Sequence, residues 1–382
     1  MPAPEPVPQP VPSDPAARAG AFLTVDLAAV VANWTQLRDR VAPAECSAVV
    51  KADAYGLGVA RVVPALAAAG CRTFVVAQFE EALAVRRALE PVAPDAQVFS
   101  LGGLPAGCEG DFIANRILPV LNHLGEIAAW GAFAALRGGA LPAVIHIDTG
   151  MNRLGLGPDE LDALAAEPAR LAGIDVRYWM THLACADEFD NPMTGAQLDR
   201  FRSALARLPK AKASFANSSG IFHGPDHHFD LARPGCALYG VNPTPHLPNP
   251  MRGTVRLDAR LLQVRNCTPA MTVGYGAAHA VTGPARIATI GVGYADGYLR
   301  ALGGKGQVFV DGVAAPIVGR ISMDLITIDV SGLPEQVAHA GRMVELIGPS
   351  RPVDRVAAEG GTIGYEILTS LGRRYHRVYL GG

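Results

Sequence analysis

From Ala21 to about Arg256, short apolar runs alternate with amphipathic segments, and this alternation restricts the fold more than any other feature. Phe22 to Val25, Ala48 to Val50, Thr73 to Ala77, Ala96 to Leu101, Ile117 to Leu121, Ala143 to Asp148, Val176 to Thr181 and Ala213 to Ala216 have strand character. Helical patterns lie between most of them. Asp26 can cap a helix whose apolar positions Leu27, Val30, Val31, Trp34, Leu37 and Val41 follow a 3.6-residue period. Val59, Val62, Val63 and Leu66 begin another, ended by Gly70, and Phe79 to Leu89 and Gln197 to Leu208 supply two more. Strands alternating with helices imply a parallel sheet. About eight such units in this length suit a closed (β/α)8 barrel better than an open sheet. Periodicity alone leaves closure open.

Past roughly Arg256 the pattern becomes Val-rich and alternating, at Ala259 to Val264, Ala285 to Val292, Gln307 to Val310, Ala315 to Val318, Ile326 to Val330 and Met343 to Ile347. Val310-Asp311-Gly312-Val313 carries a hairpin turn signal. The expected organisation is therefore α/β: a barrel over residues 20–256, then a mainly antiparallel β domain over 257–382. Residues 1–19, rich in Pro and Ala, lack the basic and apolar regions of a secretory signal and read as a disordered tail. A net charge of -2 gives no hint of nucleic acid or an anionic membrane, and no apolar run is long enough to span a bilayer. Six cysteines without Cys-x-x-Cys spacing read as thiols in a reducing, cytoplasmic compartment. His223, Asp226, His227 and His228 match no zinc spacing, so a solvated loop is expected there and no metal.

Lys51 sits where the apolar run Ala48-Val49-Val50 gives way to Ala-Asp-Ala-Tyr55-Gly-Leu-Gly58. In a parallel α/β protein that changeover is the carboxyl end of a strand, where sites are built. Most lysines at strand ends are simply solvated. One that loses water has its charged form disfavoured and its amine made nucleophilic, which suits Schiff-base chemistry with a carbonyl cofactor. Asn217-Ser218-Ser219-Gly220 also follows a strand and could bind phosphate, although it is equally an ordinary turn.

The Lys51 to Gly58 segment closely resembles the pyridoxal-phosphate segment of the alanine racemases, with Leu57 where the family usually has histidine. The resemblance runs from about Ala21 to the C-terminus and implies the closed barrel. It also implies a set of roles. Lys51 would carry pyridoxal 5'-phosphate, while Tyr55, Ser218, Tyr365 and the backbone of Gly235 and Cys236 would hold its phosphate. Arg233, in Asp230-Leu-Ala-Arg233-Pro-Gly235, would face the pyridine nitrogen. Tyr275, in Thr272-Val-Gly-Tyr275-Gly, would be the second base opposite Lys51, paired with His182. Arg153, in Asp148-Thr-Gly-Met-Asn-Arg153, would hold the cofactor's phenolate oxygen and the substrate carboxylate, which the backbone of Met323 would also meet. Tyr294 would narrow the entrance. Tyr275, Tyr294 and Met323 would come from the other subunit of a homodimer with shared sites.

The implied activity is alanine racemisation by two bases, supplying D-alanine for peptidoglycan. One departure stands out. Two residues before Asp148, where many family members carry a carbamylated lysine, this chain has His146, which cannot supply that anion. A bound chloride, a different hold on Arg153, or a different substrate tolerance are the alternatives. Racemases of serine or larger amino acids share the scaffold. Non-catalytic pyridoxal-phosphate carriers lack the β domain, and decarboxylases normally set an acid against the pyridine nitrogen.

Overall fold

The computed structural model describes residues 14–381, in two compact units. One comprises residues 26–254 with 379–381, the other residues 14–25 with 255–378.

In the first unit, parallel strands Ala48–Val49, Thr73–Val76, Gln97–Ser100, Leu118–Leu121, Leu141–His146, Ile174–Met180 and Lys212–Ser214 pair in sequence order. An eighth strand, Leu231–Ala232, pairs in parallel with Glu45–Cys46, which leads through Ser47 into Ala48–Val49. On its other side Arg233 bridges to Asn217, and its N–H donates to the Ala216 carbonyl at 2.8 Å. Ser47 and Val49 N–H donate to the Ala232 and Pro234 carbonyls, each at 2.9 Å. The two edges of the seven-stranded ladder are thus joined and the barrel closes. Asp26 Oδ1 caps the Leu27–Val41 helix by accepting the Ala29 N–H at 2.8 Å. That helix buries Val30, Trp34 and Leu37, and Trp130, Trp179, Phe74, Phe99 and Phe215 fill the core with them. Burial of such side chains stabilises by roughly 2–3 kcal/mol each.

The second unit is built on the long strand Val255–Cys267, paired antiparallel with Ala285–Ile290 and Met343–Ile347. Ile326–Asp329 extends this sheet, and Gln307–Val310 forms a hairpin with Val313–Pro316. Asp311 and Gly312 both have positive φ, 50° and 79°, as the tight hairpin turn requires. A fully buried Arg351 is bonded to Glu359 and to the Tyr298 hydroxyl.

The structure draws the boundaries differently from the expected 20–256 and 257–382. Strand Ala21–Asp26 pairs antiparallel with Val255–Ala259 rather than joining the barrel. The physical reason is its pattern: Ala21, Leu23 and Val25 are buried while their neighbours are half-buried. Such alternation suits an antiparallel strand with one covered face, whereas barrel strands run apolar throughout. At the other end residues 379–381 group with the barrel, where Arg61 lies over the Tyr379 ring at 5.1 Å. Pro15–Arg18, expected in a disordered tail, forms a short helix capped by Asp14, and residues 1–13 lie outside the described ones. Helices Val353–Gly360 and Gly364–Ser370 also lie within the region read as β.

Candidate active site

The barrel gathers its chemistry at the carboxyl ends of its strands, as closed barrels do. Lys51 directly follows Ala48–Val49 and Val50, whose N–H donates to the Val75 carbonyl at 2.9 Å. Beyond it Ala52, Asp53, Ala54 and Tyr55 take φ of 52°, 55°, 55° and 54° in succession. Four consecutive left-handed residues with side chains are costly, at roughly 1–2 kcal/mol each. Compensating bonds surround them. Asp53 Oδ1 accepts the Val59 N–H at 2.7 Å, and the Asp53 carbonyl accepts Gly58 N–H at 2.8 Å. Glu81 Oε1 accepts the Ala52 N–H at 2.6 Å. The Lys51 amine is pushed below its usual range by burial and then by the Arg153 charge, with Glu81 opposing.

This turn delivers Tyr55 onto Tyr239, the rings stacked 4.6 Å apart, and the Tyr239 hydroxyl donates to the Val49 carbonyl at 2.9 Å. Burial raises the Tyr55 phenol, keeping it a neutral donor. A Cβ on Gly235 would lie 2.4 Å from the Tyr55 hydroxyl, so only glycine permits that approach. Ser218 Oγ accepts the Gly235 and Ala237 N–H groups at 2.9 and 3.3 Å, which leaves its own proton to donate. Tyr55, Ser218, Gly235 and the neighbouring Cys236 are thus brought together, Tyr55, Ser218 and Cys236 all buried.

Arg233 is buried and donates to Ser214 Oγ and the Thr181 carbonyl. Burial lowers it to about 10, which still leaves it charged at neutral pH. His182 is held well below its ordinary range by burial and then by Arg233 and Arg153, so it is neutral. His146 is lowered to about 4 by burial, then by Arg233. Its Nδ1 lies 2.9 Å from Asn122 Oδ1, while Asn122 Nδ2 donates to the Leu101 and Val120 carbonyls. Those carbonyls fix the amide, so Nδ1 carries the proton and Nε2 is an acceptor. Arg153 is exposed on a loop whose Asp148 Oδ1 accepts the Gly150 and Met151 N–H groups at 2.8 and 2.9 Å. Among the described residues Arg153 makes no ion pair. Lys51, Arg153 and Arg233 thus form a cationic cluster with two neutral histidines, an environment that favours anions.

The remaining expected residues lie in the second unit. Tyr275 follows Gly274, whose φ is 77°, and is 71 % exposed. The Arg320 guanidinium lies 3.1 Å from where a Cβ on the next residue, Gly276, would stand. Met323 and Tyr294 are brought together: Tyr294 N–H donates to the Ser322 carbonyl at 3.1 Å and Ala295 N–H to the Met323 carbonyl at 3.0 Å. Arg374 clamps both loops, with two bonds to buried Asp296 at 2.6 and 2.8 Å and one to Asp324 at 2.8 Å. Tyr365 is half-buried in the Gly364–Ser370 helix. His223 and His228 bond through Nε2 to the Ala186 and Ile221 carbonyls, and no cluster able to hold a metal occurs among the described residues.

Sequence reasoning missed Glu81, Asn122, Asp296 and Arg374. Only Glu81 had a local signal, an acid three residues after Gln78 at a helix start. The others act across 24 to 78 residues of sequence.

Two family models match the chain, the alanine racemase N-terminal domain over residues 25–243 and the C-terminal domain over 254–379. An alanine racemase of Rhodospirillum rubrum is 51% identical over 365 residues, covering 95% of this chain and 97% of that protein. A protein of Mesorhizobium japonicum named as a catabolic alanine racemase is 47% identical, covering 96% and 95%. The crystal structure of a Bartonella henselae alanine racemase with covalently bound pyridoxal phosphate superposes with a TM-score of 0.91 at 44% identity, covering 95% of this chain and all of that one.

Proposed function

The chain belongs to the alanine racemase family, and from that premise we propose that it interconverts L- and D-alanine with Lys51 and Tyr275 as its two bases. Its cofactor is pyridoxal 5'-phosphate, and the enzyme is an isomerase. The residues suit that group. Tyr55, Ser218 and the backbone of Gly235 and Cys236 would hold the phosphate, in a cradle that a Cβ on Gly235 would fill. Tyr365 would add a further donor. When bound, the cofactor supplies a conjugated sink for the electron pair left as Cα loses its proton.

Arg233 would donate to the pyridine nitrogen. A guanidinium that stays charged gives up no proton, so Arg233 would leave a bound ring nitrogen unprotonated and a weaker draw on electrons. Return of the proton to Cα is then favoured, which suits racemisation over transamination. Arg153 and the backbone of Met323 would grip the substrate carboxylate. The depressed Lys51 amine would take or return the proton on one face. Tyr275 from a second copy of the chain would serve the other, with neutral His182 as its partner. A homodimer with shared sites is supported by the exposure of Tyr275, Tyr294, Met323 and Leu325 on the β unit. We place the enzyme in the cytoplasm, as its six cysteines show no Cys-x-x-Cys or disulfide-frame spacing. No described helix is long and apolar enough to cross a membrane. We assign the D-alanine to peptidoglycan.

The observation that carries the reading is the gathering of Lys51, Arg153 and Arg233 around two neutral histidines beside the Ser218 cradle. A panel of L-amino acids, followed by loss of optical rotation with added cofactor, tests it. L-Alanine should racemise fastest. Faster turnover of serine or a basic amino acid would replace the substrate, and release of carbon dioxide would replace the reaction. A gene deletion that needs no D-alanine for growth would overturn the peptidoglycan assignment.

A further inference from the structure

The left-handed run after Lys51 begins at Ala52, and the first amide of that run points at a side chain from a different strand–helix unit. Glu81 Oε1 accepts the Ala52 N–H at 2.6 Å. Its other oxygen, Oε2, accepts the Ala77 N–H at 2.9 Å and the Gln78 N–H at 3.0 Å. One carboxylate therefore ties together the carboxyl ends of the neighbouring strands Ala48–Val49 and Thr73–Val76. An acid near the start of its own helix accounts for the Gln78 bond. It does not account for the reach to Ala52, 29 residues away.

We propose that Glu81 is a positioning residue for Lys51: its carboxylate pins the peptide after the lysine, aims the amine into the site, and stands as its counter-ion against Arg153. The inference rests on the reading of Lys51 as the cofactor lysine. Three N–H donors converge on Glu81, so its two oxygens are both committed. A glutamine has a single acceptor oxygen, and its NH2 would oppose one of those donors. An aspartate keeps the charge but lacks the reach. These two variants separate charge from aim. The direction of the electrostatic effect is already visible, since Glu81 raises the Lys51 amine where burial and Arg153 lower it.

The chain holds only four lysines, Lys51, Lys210, Lys212 and Lys305, so each is resolved by peptide mass spectrometry. Trace acetic anhydride labelling of the cofactor-free full chain across pH reads the titration of Lys51, with Lys305 as internal reference. Glu81→Gln should move the Lys51 midpoint to lower pH and leave Lys305 unmoved, while Glu81→Asp should stay near the parent. Capture of added pyridoxal phosphate is then timed by absorbance at alkaline pH, where the amine is free in every variant. Both substitutions should slow it, by about tenfold to a hundredfold. Far-UV circular dichroism confirms that each variant is folded, and either variant alone suffices for the capture test. An unchanged midpoint in Glu81→Gln, or parent-like capture in the variants, overturns the proposal. Lys51→Arg distinguishes the two levels of argument: if it still forms a borohydride-fixable adduct with the cofactor, the reading of Lys51 falls, whatever Glu81 does.

Discussion

The barrel and the β unit carry their candidate groups in opposite ways. In the barrel Arg233, His146 and His182 are withdrawn from water and set against one another. Arg233 is 4 % exposed, His146 7 %, and both are shifted by burial. In the β unit Tyr275 is 71 % exposed and Met323 54 %. The Met323 loop is held from behind, by backbone bonds to the Tyr294 loop and by the Arg374 clamp. The difference teaches that the two regions have different tasks. Burial can prepare a charge state in advance, and the cationic cluster of the barrel would then favour an anionic cofactor. In the reading proposed above, the exposed Tyr275 phenol would act once a second copy encloses it.

The largest effect should come from the barrel's lysine. Lys51→Ala should abolish both covalent cofactor capture and racemisation, read by absorbance and by optical rotation. Retained activity would remove the barrel from the chemistry. Tyr275→Phe should come next, with a loss of about 10²- to 10⁴-fold, the usual worth of a positioned base. Because the two enantiomers have equal free energies, net racemisation slows equally in both directions. The one-sided role must therefore be read from α-proton exchange in heavy water. Exchange from L-alanine should collapse while exchange from D-alanine persists. Equal residual exchange from both would break the division of labour.

Burial of neutral histidines also gives the barrel an acid weakness. His146 has a native value of about 4 and an unfolded value of about 6.5. Above pH 6.5 neither state binds the proton, and the contribution is nil. Between pH 6.5 and 4 the unfolded chain binds it and the native one does not, so stability falls as pH falls. The full loss is about 3 kcal/mol, with His182 acting in the same direction. Trp34, Trp130 and Trp179 are the only tryptophans and all lie in the barrel unit, so their fluorescence during urea unfolding reports that unit. His146→Gln should flatten the slope of stability against pH. An unchanged slope would mean that the buried imidazole takes its proton in the native state.

How much could be read in advance follows the same division. The parallel barrel strands were legible because an apolar run with a helix after it is a local signal, as at Thr73–Val76 and Phe79–Leu89. Strand Ala21–Asp26 was misplaced by position, although its alternating burial already favoured an antiparallel partner. Lys51 and Ser218 were legible because each follows an apolar run, whereas Arg233 was legible only through the family resemblance of Asp230 to Gly235. What they lean on was not. Asn122 fixes the tautomer of His146 from 24 residues away, and Arg374 reaches Asp296 from 78. Such partners are set by the closure of the fold and leave no periodicity. The left-handed run from Ala52 to Tyr55 was hidden for another reason. Alanine and tyrosine give no hint of positive φ, and Gly56 and Gly58 only mark where the run ends.

The smallest expected effect tests whether the β unit's loops need their clamp. Arg374 spans Asp296, which is buried beside Tyr294, and Asp324, which follows Met323. Lysine keeps the charge but has no planar fork, so Arg374→Lys cannot hold both carboxylates in the same geometry. The Met323 backbone would then meet the substrate carboxylate less well. Michaelis constants for L- and D-alanine should rise about threefold to tenfold, with kcat little changed. Asp324→Asn removes only the exposed arm and should do less. Cofactor capture by Lys51 should be untouched in both variants, because the groups that shift and aim the lysine, Glu81, Arg153 and the left-handed turn, belong to the barrel. Steady-state kinetics with each enantiomer, alongside the capture rate, distinguishes the outcomes. If Arg374→Lys slows capture as much as it raises the Michaelis constant, the two regions do not have separate tasks.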